Sequence, residues 1–322
     1  MYDIFAMEFR NKEDKPKSDI YTGEGSNIDI RLGRCEDLIK EIKNESIDAI
    51  ITDPPFQVLD KDWDKELPTA DFWNECHRVL LPGSHLVFFG QVSKTPEIMF
   101  RMSQTEFQFR DIIIWNHAPF FPKGYKTEDE SFRSKVRTGY TPIFVYRKKL
   151  IGDEKSNWEK HRNNLLSIDD TRMSYKGNHL SIIKKFEETG ERHHQSTDSS
   201  TYGEVRGNGW VPNSLGCVAS NSVYCARPTR AERTINGQIK NEHPTVKSIS
   251  LMVFLTRLFT NNPEQRILDP WVGSGSGAAA ARYCTRKFVG FEMNQAFVEL
   301  AKFRAKHVFD LDEKIFQRLR LV

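Results

Sequence analysis

An α/β fold on a mainly parallel sheet is what this chain of 322 residues predicts, and three features predict it. Short runs rich in β-branched and aromatic residues alternate with stretches of helical periodicity, the pattern of strands joined by crossover helices. Two of those runs, Ile47–Thr52 and Arg266–Leu268, end directly on an aspartate, Asp53 and Asp269. A glycine-rich turn follows the second aspartate and opens a helix, and open α/β sheets place their ligands at such strand ends.

Residues 1–26 are polar and of mixed charge and read as an N-terminal arm. Ile28–Leu32 is strand-like, and Glu36–Lys43 is a short amphipathic helix. Ile47–Thr52 is a buried strand, too short and too rich in β-branched residues for a helix. Thr69–Leu80 reads as a helix with Phe72, Cys76, Val79 and Leu80 on one face. Pro82-Gly83 punctuates before the strand His85–Phe89. Thr95–Ser103 is a helix, and Arg110–Trp115 and Thr141–Tyr146 are strands. From Ile151 to about Ser222 the chain is polar and rich in Asn, Ser, Gly and Arg, too long for a simple connection. Regular pattern returns with the apolar helix Thr245–Thr260 and the strand Arg266–Leu268. The helix Gly275–Cys284, the strand Lys287–Phe291 and the helix Asn294–His307 complete the series.

Composition narrows the classes. A net charge of +3 and a pI near 8.5 permit an anionic partner but require any nucleic-acid surface to be local. No apolar stretch approaches the roughly 20 residues of a membrane span, and the charged start has no signal-like apolar core. The five cysteines (35, 76, 217, 225 and 284) are scattered and suit free thiols in a reducing cytoplasm. His193, His194, Cys217 and Cys225 match no familiar zinc spacing, so no metal is expected.

Asp53-Pro54-Pro55-Phe56 is the most telling segment. Two prolines forbid continuation of strand or helix, which fixes a carboxylate and an aromatic ring at a strand end. Asp53 and the Pro54 carbonyl can accept the two hydrogens of a planar amine, with Phe56 stacked on its ring; a surface turn with a capping Asp is the plainer reading. In Asp269-Pro270-Trp271-Val272-Gly273-Ser274-Gly275 the glycines let a ligand approach the backbone. Glu292, at the end of the next strand, can take two ribose hydroxyls. Gly273-x-Gly275-x-x-Ala278 with a downstream acid also satisfies the fingerprint of NAD enzymes, so the loop alone indicates a nucleoside cofactor without choosing it.

In this order, Asp53–Phe56, the polar insert, Asn241-Glu242-His243-Pro244-Thr245-Val246-Lys247, the glycine loop and Glu292 resemble the S-adenosylmethionine-dependent DNA amino-methyltransferases of the β permutation class. Ile114-Trp115-Asn116-His117, Phe121-Pro122-Lys123-Gly124 and Val223-Tyr224-Cys225-Ala226-Arg227 are similar to segments of phage and prophage members. The resemblance implies a Rossmann-like methyltransferase fold with a mostly parallel seven-stranded sheet, one strand antiparallel, circularly permuted. It divides the chain into a catalytic half over 27–150, a target-recognition insert over 151–222, a cofactor half over 223–310 and a tail over 311–322. Three departures stand out: Arg34 for the usual acid beside Cys35, Ser248 for a proline, and Trp271-Val272 for Phe and an apolar residue.

The implied reaction is methylation of adenine N6 in double-stranded DNA, with cytosine N4 as the alternative. An oxidoreductase and an inactive DNA-binding relative are the readings from other classes. Cytosine C5 methylation is excluded, since its nucleophilic cysteine usually follows a proline and the chain has no Pro-Cys pair. Asp53, Pro54, Pro55 and Phe56 form the implied catalytic set. Cys35, Asp53, Thr245, Lys247, Asp269, Pro270, Gly273, Ser274, Gly275, Glu292 and Met293 would border the cofactor, with Lys247 a partner for its carboxylate. Lys123, Arg133, Lys135, Arg137, Arg227 and Arg230 would meet DNA, and Arg233 extends that cluster. Trp115 is expected to pack in the core, with Phe120 and Phe121 nearer a flipped base. The resemblance leaves a homodimer open.

Overall fold

A computed structural model of the chain describes residues 27–57, 64–117, 138–163, 165–171, 188 and 220–321. The sheet comprises β1 (Ile28–Leu32), β2 (Ile47–Thr52), β3 (Leu80–Phe89), β4 (Gln108–Asn116), β5 (Tyr140–Arg147), β6 (Ser222–Tyr224), β7 (Arg266–Asp269), β8 (Lys287–Glu292) and β9 (Arg320–Leu321). Their spatial order is β1-β8-β7-β2-β3-β5-β4-β6-β9. The first seven form the expected sheet, in which β5 alone runs antiparallel to β3 and β4.

Two strands were not expected. β6 adds parallel to β4, and β9 adds antiparallel to β6, making nine strands among the described residues. β6 has only three residues, too few to show an alternating pattern. Tertiary bonds hold it instead: Cys225 donates its N–H to the Asn116 carbonyl (3.0 Å), and the Trp115 indole donates to the Cys225 carbonyl (2.7 Å). Trp115 is therefore a core residue, as its sequence context predicts.

Strand β3 also starts earlier than expected, at Leu80, and runs through Pro82-Gly83. The β2 register passes from Ile47↔Leu80 to Ala49↔His85, so the Pro-Gly pair forms an irregular bulge and not a break. Gly83 takes φ +83° there and donates to the Lys148 carbonyl.

The helices are α1 (Cys35–Leu38), α2 (Ala70–Val79), α3 (Thr95–Ser103), α4 (Glu154–His161), α5 (Arg230–Thr234), α6 (Ile249–Phe259), α7 (Ser276–Tyr283) and α8 (Gln295–Lys306). The expected helix over 36–43 is instead α1 followed by a 3-10 turn over Ile39–Glu41. Thr69 caps α2 by accepting the Phe72 N–H. α6 begins four residues later than its apolar pattern suggests, leaving Thr245–Ser248 as a loop, and every residue of α6 except Arg257 is buried. Side chains alternate across the sheet. Val87 and Phe89 join the layer under α6, α7 and α8, whereas Leu86 and Phe88 join the layer under α1, α2 and α3. Burial of both faces explains why the central strands β2 and β3 read as near-continuous apolar runs.

The sheet reverses its winding between β7 and β2. The chain moves outward from β7 through β8, with β1 beyond it, and outward in the other direction from β2 through β3. That switch point opens a crevice at the carboxyl ends of two parallel neighbours, where such folds bind ligands.

Candidate functional site

Asp53 and Asp269 follow or end the two strands that flank the switch point. The two strand ends are tied directly: the Thr52 hydroxyl donates to Asp269 Oδ1 at 2.6 Å, and the Trp271 N–H donates to the same oxygen at 3.1 Å. Burial pushes the Asp269 carboxyl up to about 7, with these two donors opposing and the charges of Asp53 and Glu292 adding to the rise. A pH dependence follows. In the fold Asp269 keeps its proton up to about pH 7, whereas an unfolded carboxyl loses it near 4. Its contribution to stability is therefore fullest below about pH 4 and is lost as pH rises towards 7. Denaturant titrations across that range should show wild type losing ground to Asp269→Asn, with a slope approaching about 1.4 kcal/mol per pH unit. A pH-independent difference refutes the assignment.

The tetrapeptide after β2 is held by a residue that sequence reading missed. Asp64 is buried, and its Oδ1 accepts the N–H of Phe56 (2.6 Å) and of Gln57 (3.1 Å). This clamp supports Gln57 in the left-handed region at φ +59°. Pro54 is buried, and Phe56 is half-buried against the first core layer. Asp64 carries no periodic or motif signal, because its contact is made in space with residues seven and eight positions earlier. Hydrogen bonds to a charged acceptor contribute about 1.5–3 kcal/mol, so Asp64→Ala should lower the unfolding free energy by about 2 kcal/mol, read by urea denaturation. Asp64→Asn, which keeps an acceptor, should lose less than half of that.

Asp53 meets Lys247, which arrives from the loop before α6. The Lys247 ammonium contacts Asp53 Oδ2 and lies over the Phe89 ring, 4.9 Å from its centroid. The other carboxylate oxygen, Oδ1, is buried without a hydrogen-bond partner. Burial raises the Asp53 carboxyl, Lys247 opposes the rise and Asp64 adds to it. The Lys247 partner in this structure is thus Asp53, at the end of β2.

The glycine loop is built from both sides. Gly273 takes φ +52° and donates its N–H to Glu292 Oε2 at 2.9 Å, while Asn294 donates to Oε1 at 2.9 Å. Burial raises the Glu292 carboxyl against those backbone donors. Gly275 takes φ +79°, and a Cβ there would stand 2.5 Å from the Ala301 Cα, so no side chain fits. His243 packs against Gly273 and edge-on to Phe297; its Nδ1 accepts the Thr245 N–H at 3.3 Å. Burial, with Lys247, Arg304 and Arg233 nearby, lowers this imidazole to about 4, so it is neutral.

Beneath the loop lies Arg304, fully buried. It donates to the Ser274 carbonyl (2.6 Å), the Ser274 hydroxyl (3.1 Å), the Ser276 hydroxyl (3.2 Å) and the Glu232 carbonyl (3.3 Å). Its signal was present in the sequence: Arg304 falls on the apolar stripe of α8 with Val298, Ala301 and Ala305, where an arginine requires buried acceptors. Glu232 completes the frame, accepting from Arg318 at 2.8 Å and closing a capping box with Thr229.

The other expected residues divide. Pro270 and Ser274 are buried in the loop, Thr245 is exposed beside it, and Met293 is 60% exposed just past Glu292. Cys35 turns its thiol into the second core layer beside Cys76, and burial pushes it well up. Trp271 packs on Phe72 (4.8 Å between centroids), so this departure serves the core. Arg227 and Arg230 are exposed after β6, on the same edge. Lys123, Arg133, Lys135 and Arg137, with Phe120, Phe121 and most of the insert, lie outside the described residues. Among the described residues, no cluster of His, Cys, Asp and Glu could hold a metal ion, and no helix is long and apolar enough to cross a membrane. A surface cleft of about 620 Å³ beside α8, lined in part by Ile239, Phe297 and Phe303, contains none of Asp53, Asp269 and Glu292.

Comparison with known proteins matches residues 47–303 to a family described as DNA methylase, of N6/N4 type. The chain is 24% identical over 282 residues to the Type II methyltransferase M1.MboII of Moraxella bovis, covering 84% of this chain and 93% of that protein. It is 23% identical over 271 residues to the DNA adenine methyltransferase YhdJ of Escherichia coli, covering 81% of this chain and 77% of that one. Among solved structures, the cytosine-N4-specific PvuII DNA methyltransferase superposes with a TM-score of 0.55 at 15% identity, covering 95% and 97% of the two chains.

Proposed function

Because the chain belongs to the N6/N4 DNA methylase family, we propose that it transfers a methyl group from S-adenosylmethionine to the N6 amino group of adenine in double-stranded DNA. One observation carries this reading: Asp53 stands at the head of a rigid Pro-Pro-Phe turn with one carboxylate oxygen buried and unpartnered, one strand from the glycine loop. The aspartate, where a serine would favour cytosine N4, supports adenine over that alternative. The similarity to YhdJ, a DNA adenine methyltransferase, supports that choice. The family match sets aside the nicotinamide reading of the glycine loop.

The cofactor is S-adenosylmethionine, and the residues present fit it. Asp269, Pro270, Gly273, Ser274, Gly275, Glu292 and Met293 line or adjoin the loop that would hold it, with Thr245 alongside, whereas Cys35 faces the second core layer. Glu292 retains acceptor capacity beyond its two backbone donors, which suits ribose hydroxyls. When bound, the cofactor supplies a methyl group on a positively charged sulfur, whose departure needs no acid.

The chain's own residues do the rest. An exocyclic amine is a poor nucleophile because its lone pair is delocalised into the ring. Asp53 and the Pro54 carbonyl accept its two hydrogens and draw the nitrogen towards tetrahedral geometry, which frees the lone pair. Phe56 stacks on the flipped base. Catalysis is thus by orientation and electrostatics. Arg227 and Arg230 bring positive charge to the edge where the DNA backbone would lie.

Mass spectrometry of nucleosides from DNA treated with the protein and S-adenosylmethionine tests the reading. N6-methyladenine is expected; N4-methylcytosine alone would overturn the choice of base, and no modified nucleoside would identify an inactive relative.

A further inference from the structure

The Asp53 carboxylate is engaged on one side only. Lys247 grips Oδ2, whereas Oδ1 is buried and bonded to nothing. A buried acceptor left unpaired costs free energy, so its retention indicates a use. Lys247 is itself held at several points. Its carbonyl accepts the Ser276 hydroxyl at 2.8 Å, its ammonium rests over Phe89, and its neighbours Val246 and Ser248 are buried. The lysine is therefore fixed by α7, by β3 and by the entry to α6 in one position, against the catalytic aspartate.

We propose that Lys247 is the positioning residue of Asp53: it pins one oxygen, and so presents the other as the acceptor for the target amino group. This rests on the methyltransferase reading above. The lysine stays in place while the amine binds, because two different oxygens serve the two donors. The target's second hydrogen goes to the Pro54 carbonyl, so one presented oxygen suffices.

Lys247 also decides the charge of that acceptor. Asp53 is faced by Asp64 from the segment after β2 and has Asp269 of β7 nearby, with Glu292 of β8 beyond it. His117 at the end of β4 and His243 both feel the Lys247 charge; burial, first, and neighbouring cations lower each to about 4, so neither supplies a positive charge near neutrality. Lys247 is the one cation on Asp53 among the described residues. Without it, burial and the neighbouring Asp64 favour a protonated and freely turning carboxyl, a weaker acceptor for the amine.

The test is the pH dependence of single-turnover methyl transfer in wild type, Lys247→Met and Lys247→Arg, with Lys247→Gln as a second neutral variant in case Met fails to fold. The neutral variants should lose about 100-fold at pH 7, a scale set by loss of a preorganised electrostatic contact. Their acid limb should move up by about two pH units, and raising the pH should recover much of the loss. Arginine should restore the wild-type profile in part. An unchanged pH profile with a uniformly lower rate would mean a merely structural role. A change confined to the KM for S-adenosylmethionine would return Lys247 to the cofactor. Either overturns the proposal.

A second readout needs no activity. Infrared spectra of protein carrying ¹³C-labelled aspartate, with Asp53→Asn as the subtraction, should show Asp53 ionised at pH 7 in wild type and protonated in the neutral variants. Ionised Asp53 in both defeats the proposal even if methylation proceeds. The expected infrared result with no methylation of any DNA supports the pairing and strikes the functional reading instead.

Discussion

Asp53→Ala is expected to lower methyl transfer by at least about 10²–10³-fold in single-turnover assays, the loss that follows removal of one preorganised electrostatic contact. The loss should fall on the chemical step, because the role proposed for Asp53 is on the amine. The affinity for S-adenosylmethionine should stay within a few-fold, since Gly273, Asp269 and Glu292 keep their own hydrogen bonds. Asp53→Asn isolates charge from shape, because the amide oxygen still accepts a hydrogen. It should retain more activity than alanine and less than wild type. Both variants leave the Lys247 ammonium without its carboxylate, so unfolding curves must accompany the kinetics. Folded Asp53→Ala protein with full activity would refute the assigned mechanism.

Arg304→Ala should be the most damaging change to the glycine loop and its supports. The guanidinium is fully buried and serves four acceptors on the glycine loop and α5. Alanine would leave those acceptors unpaired and open a cavity between α8 and the loop. Breaking a buried charged network of this kind costs about 3–5 kcal/mol. Guanidinium denaturation should register that loss, and calorimetry should show S-adenosylmethionine binding weakened by about tenfold or more. Arg304→Lys, which keeps the charge but not the planar fork, should recover part of the stability only. A stability loss under about 1 kcal/mol would show that the loop stands without Arg304.

Much of the fold was legible because its central strands are buried on both faces and most of its helices on one. Ile47–Thr52, the glycine loop and α8 all show that in composition and period alone. The misreadings share one cause. Pro82-Gly83 looks like a stop, yet β2 and β5 flank β3 and carry the strand through it. Ser222–Tyr224 looks like loop, yet the end of β4 offers it an edge. Neighbours distant in sequence decided each case, and local pattern holds no record of them.

The candidate site divides in the same way. Asp53, Asp269, Gly273, Gly275 and Glu292 were evident because each follows a strand, and a strand's carboxyl end has a fixed place in an open α/β sheet. Asp64 and the direction of the Lys247 side chain were not, and Arg304 showed only as a charge on the apolar stripe of α8. Sequence by itself determined which carboxylates and glycines share one edge, since hydrophobic period and turn chemistry set the strands and their ends. Only the tertiary structure decided which partner each charge meets. A buried charge takes its partner from whatever the packing brings within hydrogen-bond reach, here across 194 residues from Asp53 to Lys247.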